Sequence, residues 1–283
     1  MLDAIKKIVV VVGCQRSGTT LTGQIVGSHP KAFLLDETDG VYEWFKEVSG
    51  DGEVNVDTLY SVLLRAHDKY VQKRGIVGHL RENADCGSAT TEITHLVLKV
   101  PNLTYEFERL STLDIPVAAI YLVRDPRSVV RSMTRLSQIP MVENQIKLIS
   151  AKPDLVSRFA VAYSKICSSN TSEHVKRALV WLIKSSLVGD FLNAGIPTMV
   201  LKYEDLVLRR EEMAQLLAEH CSLNFSQSML QHHSILTGKG PGGTERSRPI
   251  DSNSLDAWVD LDPLVLSDIK CTAKELMSEY GYT

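Results

Sequence analysis

Five short apolar runs alternate along the chain with segments of helical spacing. The first covers residues 8–12 and stops at Gly13. The second lies in 31–36, around Ala-Phe-Leu-Leu. The third, 95–102, ends in Lys99-Val-Pro, the fourth is 115–123 and the fifth 197–202. Runs this short and this uniformly apolar fit buried strands of a parallel sheet. Leu21, Ile25 and Val26 recur at helical spacing and predict a helix from about Thr19, stopped by Ser28-His29-Pro30. Further helices are predicted over 41–48, 59–74, 105–113, 128–135, most of 159–193, 211–221, 255–258 and 263–280. Loops fall at 49–53, 81–91 and 238–249, the last Gly-rich and basic, and 137–157 reads as mixed in pattern and flexible. Strands alternating with helices, without a repeat or a linker, predict an α/β fold with helices on both faces of the sheet.

The turn after the first run reads Gly13-Cys-Gln-Arg16-Ser17-Gly18-Thr19-Thr20. Strand, Gly-bounded loop and helix start make a phosphate cradle, because backbone N–H groups and the positive helix end converge there. The fold is therefore read as a P-loop-like central parallel sheet, with 1–283 as a single domain. The nucleotide-hydrolase pattern has Lys after the second Gly; here Thr19 stands there and a cation sits earlier, at Arg16. A triphosphate tail is poorly served by that change. A shorter phosphate group is well served by Arg16, Ser17, Gly18, Thr19 and Thr20 together.

Other polar residues fall at the ends of predicted strands, where open α/β sheets bind ligands. Glu37-Thr38 follows the second strand, Lys99 ends the third, Arg124 ends the fourth and Tyr203-Glu204-Asp205 follows the fifth. Ser132 lies two turns into the helix after Arg124, which also carries Arg127, Arg131 and Arg135. Alone, that row reads as a solvated basic face. Paired with the first loop, it suggests a nucleoside phosphorylated at both ends. Glu37 is either a charge at a helix start or a general base, and the strand end favours the base. Lys99 is equally well read as a solvated strand end. His29, His232 and His233 read as loop or capping residues, and the tryptophans as core.

Composition narrows the partners. The 283 residues are 44% hydrophobic and 23% charged, with a net charge of −3. That is a globular balance, with no global field toward nucleic acid or an acidic membrane. No apolar run reaches the ~18 residues of a membrane span. Lys6 and Lys7 before residues 8–12 imitate a signal peptide, but the run is short and leads directly into the phosphate loop. The five cysteines are scattered, with no metal spacing and no disulfide framework, which suits a reducing cytoplasm. Cys14, beside the loop, reads as a small packed residue rather than a reactive thiol. No metal is expected, and the oligomeric state is left open, a homodimer included.

Gln15-Arg-Ser-Gly-Thr-Thr-Leu with Ser28-His-Pro resembles the 5′-phosphosulfate loop of sulfotransferases that use 3′-phosphoadenosine 5′-phosphosulfate (PAPS). Tyr121-Leu-Val-Arg-Asp-Pro-Arg-Ser-Val-Val-Arg-Ser132 resembles their 3′-phosphate motif. Glu37-Thr38, Lys202-Tyr203-Glu204, His232-His233, the Gly-Lys-Gly-Pro-Gly-Gly stretch, Glu245-Arg246-Ser247 and Leu255-x-x-Trp258 resemble the tyrosylprotein sulfotransferase branch. The resemblance implies PAPS as co-substrate without a metal. It implies that Arg16 through Thr20 hold the 5′-phosphosulfate and that Arg16 steadies the sulfuryl group. Glu37 would take the acceptor's proton, and Lys99 would support charge on the bridging oxygen. Arg124 and Ser132, with Arg135 beside them, would hold the 3′-phosphate. Tyr203 would contact the nucleotide, and the 238–248 loop, with Thr244, Arg246 and Ser247, would fold over it.

The chain departs from that branch where the branch reads acidic peptides with arginines: Asp39 and Glu43 stand there instead. The segment between Gly243 and Glu245 is shorter, so the family's catalytic hydroxyl falls to Thr244, to Ser247 or to neither. The expected acceptor is a hydroxyl on a peptide, in particular a protein tyrosine, or on a carbohydrate or small molecule. A P-loop kinase with a displaced cation and a non-catalytic nucleotide-binding scaffold are the rival readings.

Overall fold

A computed structural model describes residues 5–37, 40–43, 93–235 and 238–283. Thr38, Asp39, Cys86, most of the helix expected over 41–48, the 59–74 helix and the 49–53 and 81–91 loops lie outside the described residues. The five strands are β1 (Lys7–Gly13), β2 (Ala32–Asp36), β3 (His95–Lys99), β4 (Val117–Val123) and β5 (Thr198–Lys202). In chain order the described helices begin with α1 (Thr19–Gly27), α2 (Phe107–Ser111), α3 (Pro126–Thr134), α4 (Met141–Ser150), α5 (Pro153–Arg158) and α6 (Ala160–Cys167). They continue with α7 (Glu173–Ser186), α8 (Val188–Asn193), α9 (Tyr203–Leu208), α10 (Arg210–His220), α11 (His232–Ile235) and α12 (Pro263–Glu279).

Contacts group the chain into two compact units. One comprises the residues up to Gly13, Gly18–Leu122 and Val188–Asp251. The other comprises Cys14–Ser17, Val123–Leu187 and Ser252–Thr283. The first is built on the parallel sheet, in the order β2-β3-β1-β4-β5. Val9, Val10, Val11 and Val12 are fully buried, as a central strand covered on both faces requires. The register sets Asp36 of β2 opposite Lys99 of β3, and Val11 of β1 opposite the same lysine. The ends of β2 and β3, predicted to carry Glu37 and Lys99, thus fall at one level of the sheet. Ile25 and Val26 of α1 and Met213, Ala214 and Leu217 of α10 join the strands in its core.

The second unit is helical. Val130 of α3, Ala178 of α7 and Ile269 of α12 form its small apolar centre. Residues 137–157, expected to be mixed in pattern and flexible, are mostly helical, in α4 and α5. Pro140 precedes α4 and Pro153 opens α5, positions where proline starts a helix rather than ending one, and Val142, Ile149 and Leu155 are buried. The expected helix at 255–258 is a short 3₁₀ turn, Ala257–Asp260. The 105–113 helix is split into a 3₁₀ turn, Pro101–Tyr105, and α2. Among the described residues no helix is long and apolar enough to cross a membrane.

Candidate functional site

In the sheet unit, β3 delivers Lys99 and the end of β2 delivers Glu37. The Lys99 ammonium donates to Glu37 Oε1 across 2.9 Å; its side chain is 2% exposed and that of Glu37 35% exposed. The lysine stem lies against Gly23 of α1, where a Cβ would stand 2.8 Å from both Cβ and Cγ of Lys99. A buried ammonium is thereby aimed at a carboxylate that still meets solvent.

Gly18, Thr19 and Thr20 open α1 in the same unit. Gly18 has φ +97, and a Cβ there would lie 2.5 Å from the Tyr203 ring, so only glycine fits. Tyr203, the first residue of α9, is buried. The first turn of α1 carries no acidic residue, which leaves its positive end uncompensated by its own side chains.

The Gly-rich stretch predicted as an open loop is a small hairpin. Lys239 bridges Glu245, Gly240 N–H donates to Thr244 O at 2.7 Å, and Arg246 N–H donates to Gly238 O at 2.9 Å. Its turn reaches α1, since a Cβ on Gly240 would sit 3.3 Å from Thr20 Cγ2. Thr244 is half-buried, whereas Ser247 is exposed and donates to Glu245 at 2.8 Å. Arg246 is buried and donates from Nη2 to Asp36 Oδ2 at 2.5 Å.

In the helical unit, Arg16 and Ser17 stand beside Arg124 and Ser132. Arg16 Nε donates to Ser132 Oγ at 3.0 Å, and Arg124 Nη1 donates to the Arg16 carbonyl at 3.1 Å. Arg16 is thus a hydrogen-bonded neighbour of Arg124 and Ser132, the residues expected at the other end of the ligand. Arg16 holds φ +70, a left-handed conformation that costs a non-glycine residue about 1–3 kcal/mol. Strain of that kind collects at functional loops. Ser17 is fully buried, and its Oγ has no hydrogen-bond partner among the described residues.

Several supports were not legible in the sequence. Trp181 Nε1 donates to the Arg124 carbonyl at 2.9 Å and fixes the end of β4. Lys184, fully buried on α7, donates to Gln15 at 3.2 Å and so braces the loop from within the unit. Arg124 Nη2 also donates to the Ser254 carbonyl. The basic row on α3 is not a bare cationic face. Arg127 pairs with Asp125 and lies 3.8 Å over the Trp258 ring, and Arg131 makes a bidentate pair with Asp260. Arg135 is 66% exposed, with Asp260 at 3.9 Å. Trp258 is half-buried in this stack rather than in the core; Trp181 is core.

Protonation separates structural from chemical groups. Burial pushes the Cys14 thiol up to about 12, so it stays protonated and unreactive beside the loop. His29 bonds the Asn224 carbonyl and accepts from Lys31 N–H. His232 is buried, and burial, with His233 beside it, lowers its pKa to about 4. Among the described residues, no group of three or more His, Cys, Asp or Glu side chains could hold a metal ion.

The sequence profile described as "Sulfotransferase family" matches residues 9–227. Two solved structures share the fold. The sulfotransferase domain from the Synechococcus PCC 7002 olefin synthase is 15% identical, with a TM-score of 0.54, and the match covers 96% of this chain and 94% of that one. The sulfotransferase domain from the curacin biosynthetic pathway is 19% identical, with a TM-score of 0.57, over 96% of this chain and 97% of that one. No curated protein matches the sequence significantly.

Proposed function

Because the chain belongs to the sulfotransferase family, over most of its length, we propose that it moves a sulfuryl group from PAPS to an acceptor hydroxyl, with Glu37 as general base. The observation that carries the donor assignment is the Arg16–Ser132 hydrogen bond, with Arg124 on the Arg16 carbonyl. It joins two phosphate-type motifs 116 residues apart. Arg16, Ser17, Gly18, Thr19 and Thr20 bind the 5′-phosphosulfate. Arg124, Ser132 and Arg135 bind the 3′-phosphate, Tyr203 contacts the nucleotide, and the hairpin bearing Thr244, Arg246 and Ser247 covers it.

The chemistry follows from the Lys99–Glu37 pair. Glu37 takes the proton of the acceptor hydroxyl as its oxygen attacks sulfur. The bond from sulfur to the bridging oxygen breaks, and adenosine 3′,5′-bisphosphate leaves. Lys99 supports the charge that grows on the bridging oxygen, and Arg16 supports the sulfuryl oxygens. Like phosphoryl transfer, the step draws mostly on positioning and electrostatic stabilisation.

A protein tyrosine is the first acceptor to test, on the strength of the Glu37-Thr38 and Tyr203-Glu204 motifs. Glu43 would repel acidic flanks, so a tyrosine with neutral or basic neighbours is expected. The same charge favours an uncharged carbohydrate or small-molecule hydroxyl as the second acceptor class. The test is incubation with sulfur-labelled PAPS and a panel of peptides, sugars and phenols, alongside calorimetry. Label should pass to one class, and adenosine 3′,5′-bisphosphate should bind without magnesium while ATP does not. Tight magnesium-dependent ATP binding would point to a kinase. Nucleotide binding without transfer to any acceptor would point to a scaffold.

A further inference from the structure

Asp36 and Arg246 lie 210 positions apart and meet in the interior of the sheet unit, 2.5 Å from oxygen to nitrogen, each side chain 3% exposed. Asp36 is the last residue of β2, next to Glu37 and opposite Lys99 in the register. Arg246 closes the stem of the hairpin. That stem is short, and a lone two-stranded hairpin is marginal in water, so its placement depends on what its side chains grip. Gly240 shows how tight the grip is: a Cβ there would be 3.3 Å from Arg246 Nε and from Thr20 Cγ2. A buried ion pair is a poor device for stability alone, since apolar side chains of the same volume often serve as well. Breaking one partner, by contrast, leaves a buried charge exposed to no counter-charge. Such a pair is therefore best explained by what it positions.

We propose that Arg246 is a positioning residue: its buried pair with Asp36 latches the glycine hairpin to the end of β2, so that one contact holds both the base Glu37 and the cover over Thr20. The inference deepens the sulfotransferase reading and rests on it. It assigns Asp36, a residue with no role in the transfer itself, as the anchor. It also predicts that nucleotide affinity and turnover change together when the pair is lost.

The experiment compares wild type with Arg246→Lys and with the double variant Asp36→Leu/Arg246→Met, which keeps volume and leaves no orphan charge. Thermal unfolding, kcat, KM for PAPS and hydrogen exchange of the hairpin amides are measured. The double variant should unfold at the wild-type temperature. Its kcat should fall about tenfold or more and its KM for PAPS should rise about tenfold, the scale expected of a misplaced catalytic group. Exchange at Gly240 and Arg246 should quicken about tenfold or more, as local opening becomes easier. Arg246→Lys, which keeps the charge, should restore part of each. If the double variant does not fold, Arg246→Lys is judged on the same readings. Wild-type kinetics and wild-type exchange in a folded variant would overturn the latch. If wild type neither binds adenosine 3′,5′-bisphosphate nor transfers label, the functional reading has failed, and exchange alone decides the latch.

Discussion

Lys99 reaches from the last residue of β3 to Glu37, the residue after β2, and donates to its carboxylate across 2.9 Å. The ammonium is sealed in and the carboxylate is left half-open. That division suits a base that must meet substrate beside a cation that must not be diluted by water.

Glu37→Gln should lower kcat by about 10²–10⁴, the usual worth of a positioned base. Affinity for adenosine 3′,5′-bisphosphate should stay within about twofold, because the amide keeps the size and most hydrogen bonding of the acid. Lys99→Met should lower kcat by about 10²–10³. Steady-state kinetics and calorimetry on both variants check this, and equal losses of binding and turnover would contradict it.

Gly23→Ala probes the same pair from behind. Its methyl group would stand 2.8 Å from the lysine stem, so either α1 or Lys99 must move. Overpacking of this kind costs about 1–3 kcal/mol. Turnover should fall more than nucleotide affinity does, and a denaturation curve read beside kcat tests both parts.

Ser132→Ala removes the acceptor of Arg16 Nε. In the proposed site the same hydroxyl bonds the charged 3′-phosphate; a hydrogen bond to a charged group is worth about 1.5–3 kcal/mol, so affinity for adenosine 3′,5′-bisphosphate should weaken by roughly tenfold or more. Adenosine 5′-phosphate, which lacks the 3′-phosphate, should lose less. An equal loss for both ligands would remove the 3′-phosphate assignment from this side chain.

Stability should fall on the acid side of neutrality because of the buried histidines. His232 is held near a pKa of about 4 by burial, with the charge of His233 second, and burial also lowers His95 and His220. In the unfolded chain histidine takes its proton near 6.5. The unfolded state therefore binds protons first, and stability that is whole above about pH 6.5 is lost on the way down to 4. For His232 that loss is about 2 kcal/mol at roughly pH 5, and His232→Phe should flatten it. Urea midpoints at about pH 7.5 and pH 5 measure the difference.

The strands were readable because each is a short apolar run closed by a residue that cannot continue it. Gly13 at the end of β1 and Val100-Pro101 after β3 are the clearest cases. The turn after β1 was readable for the same reason, since the apolar run stops at Gly13 and the helix opens at Thr19, as expected. What stayed hidden was pairing across distance. Nothing beside Arg246 in the sequence points to Asp36, and nothing beside Arg131 points to Asp260; only folding brings those charges together. The α3 arginines were therefore read as more positive than they are. Residues 137–157 were misread because Pro140 and Pro153 punctuate a segment without saying which side of them is helical.

The strand order has one more result. β1, which leads into the anion loop, has neighbours on both sides, while β2, which delivers Glu37, is outermost in the described sheet and hydrogen-bonds to β3 alone. Changes around the base therefore disturb one ladder, whereas changes at the loop disturb the centre of the sheet. The position of Glu37 is therefore open to change at the rim of the sheet without breaking the central ladders on which the turn after β1 depends.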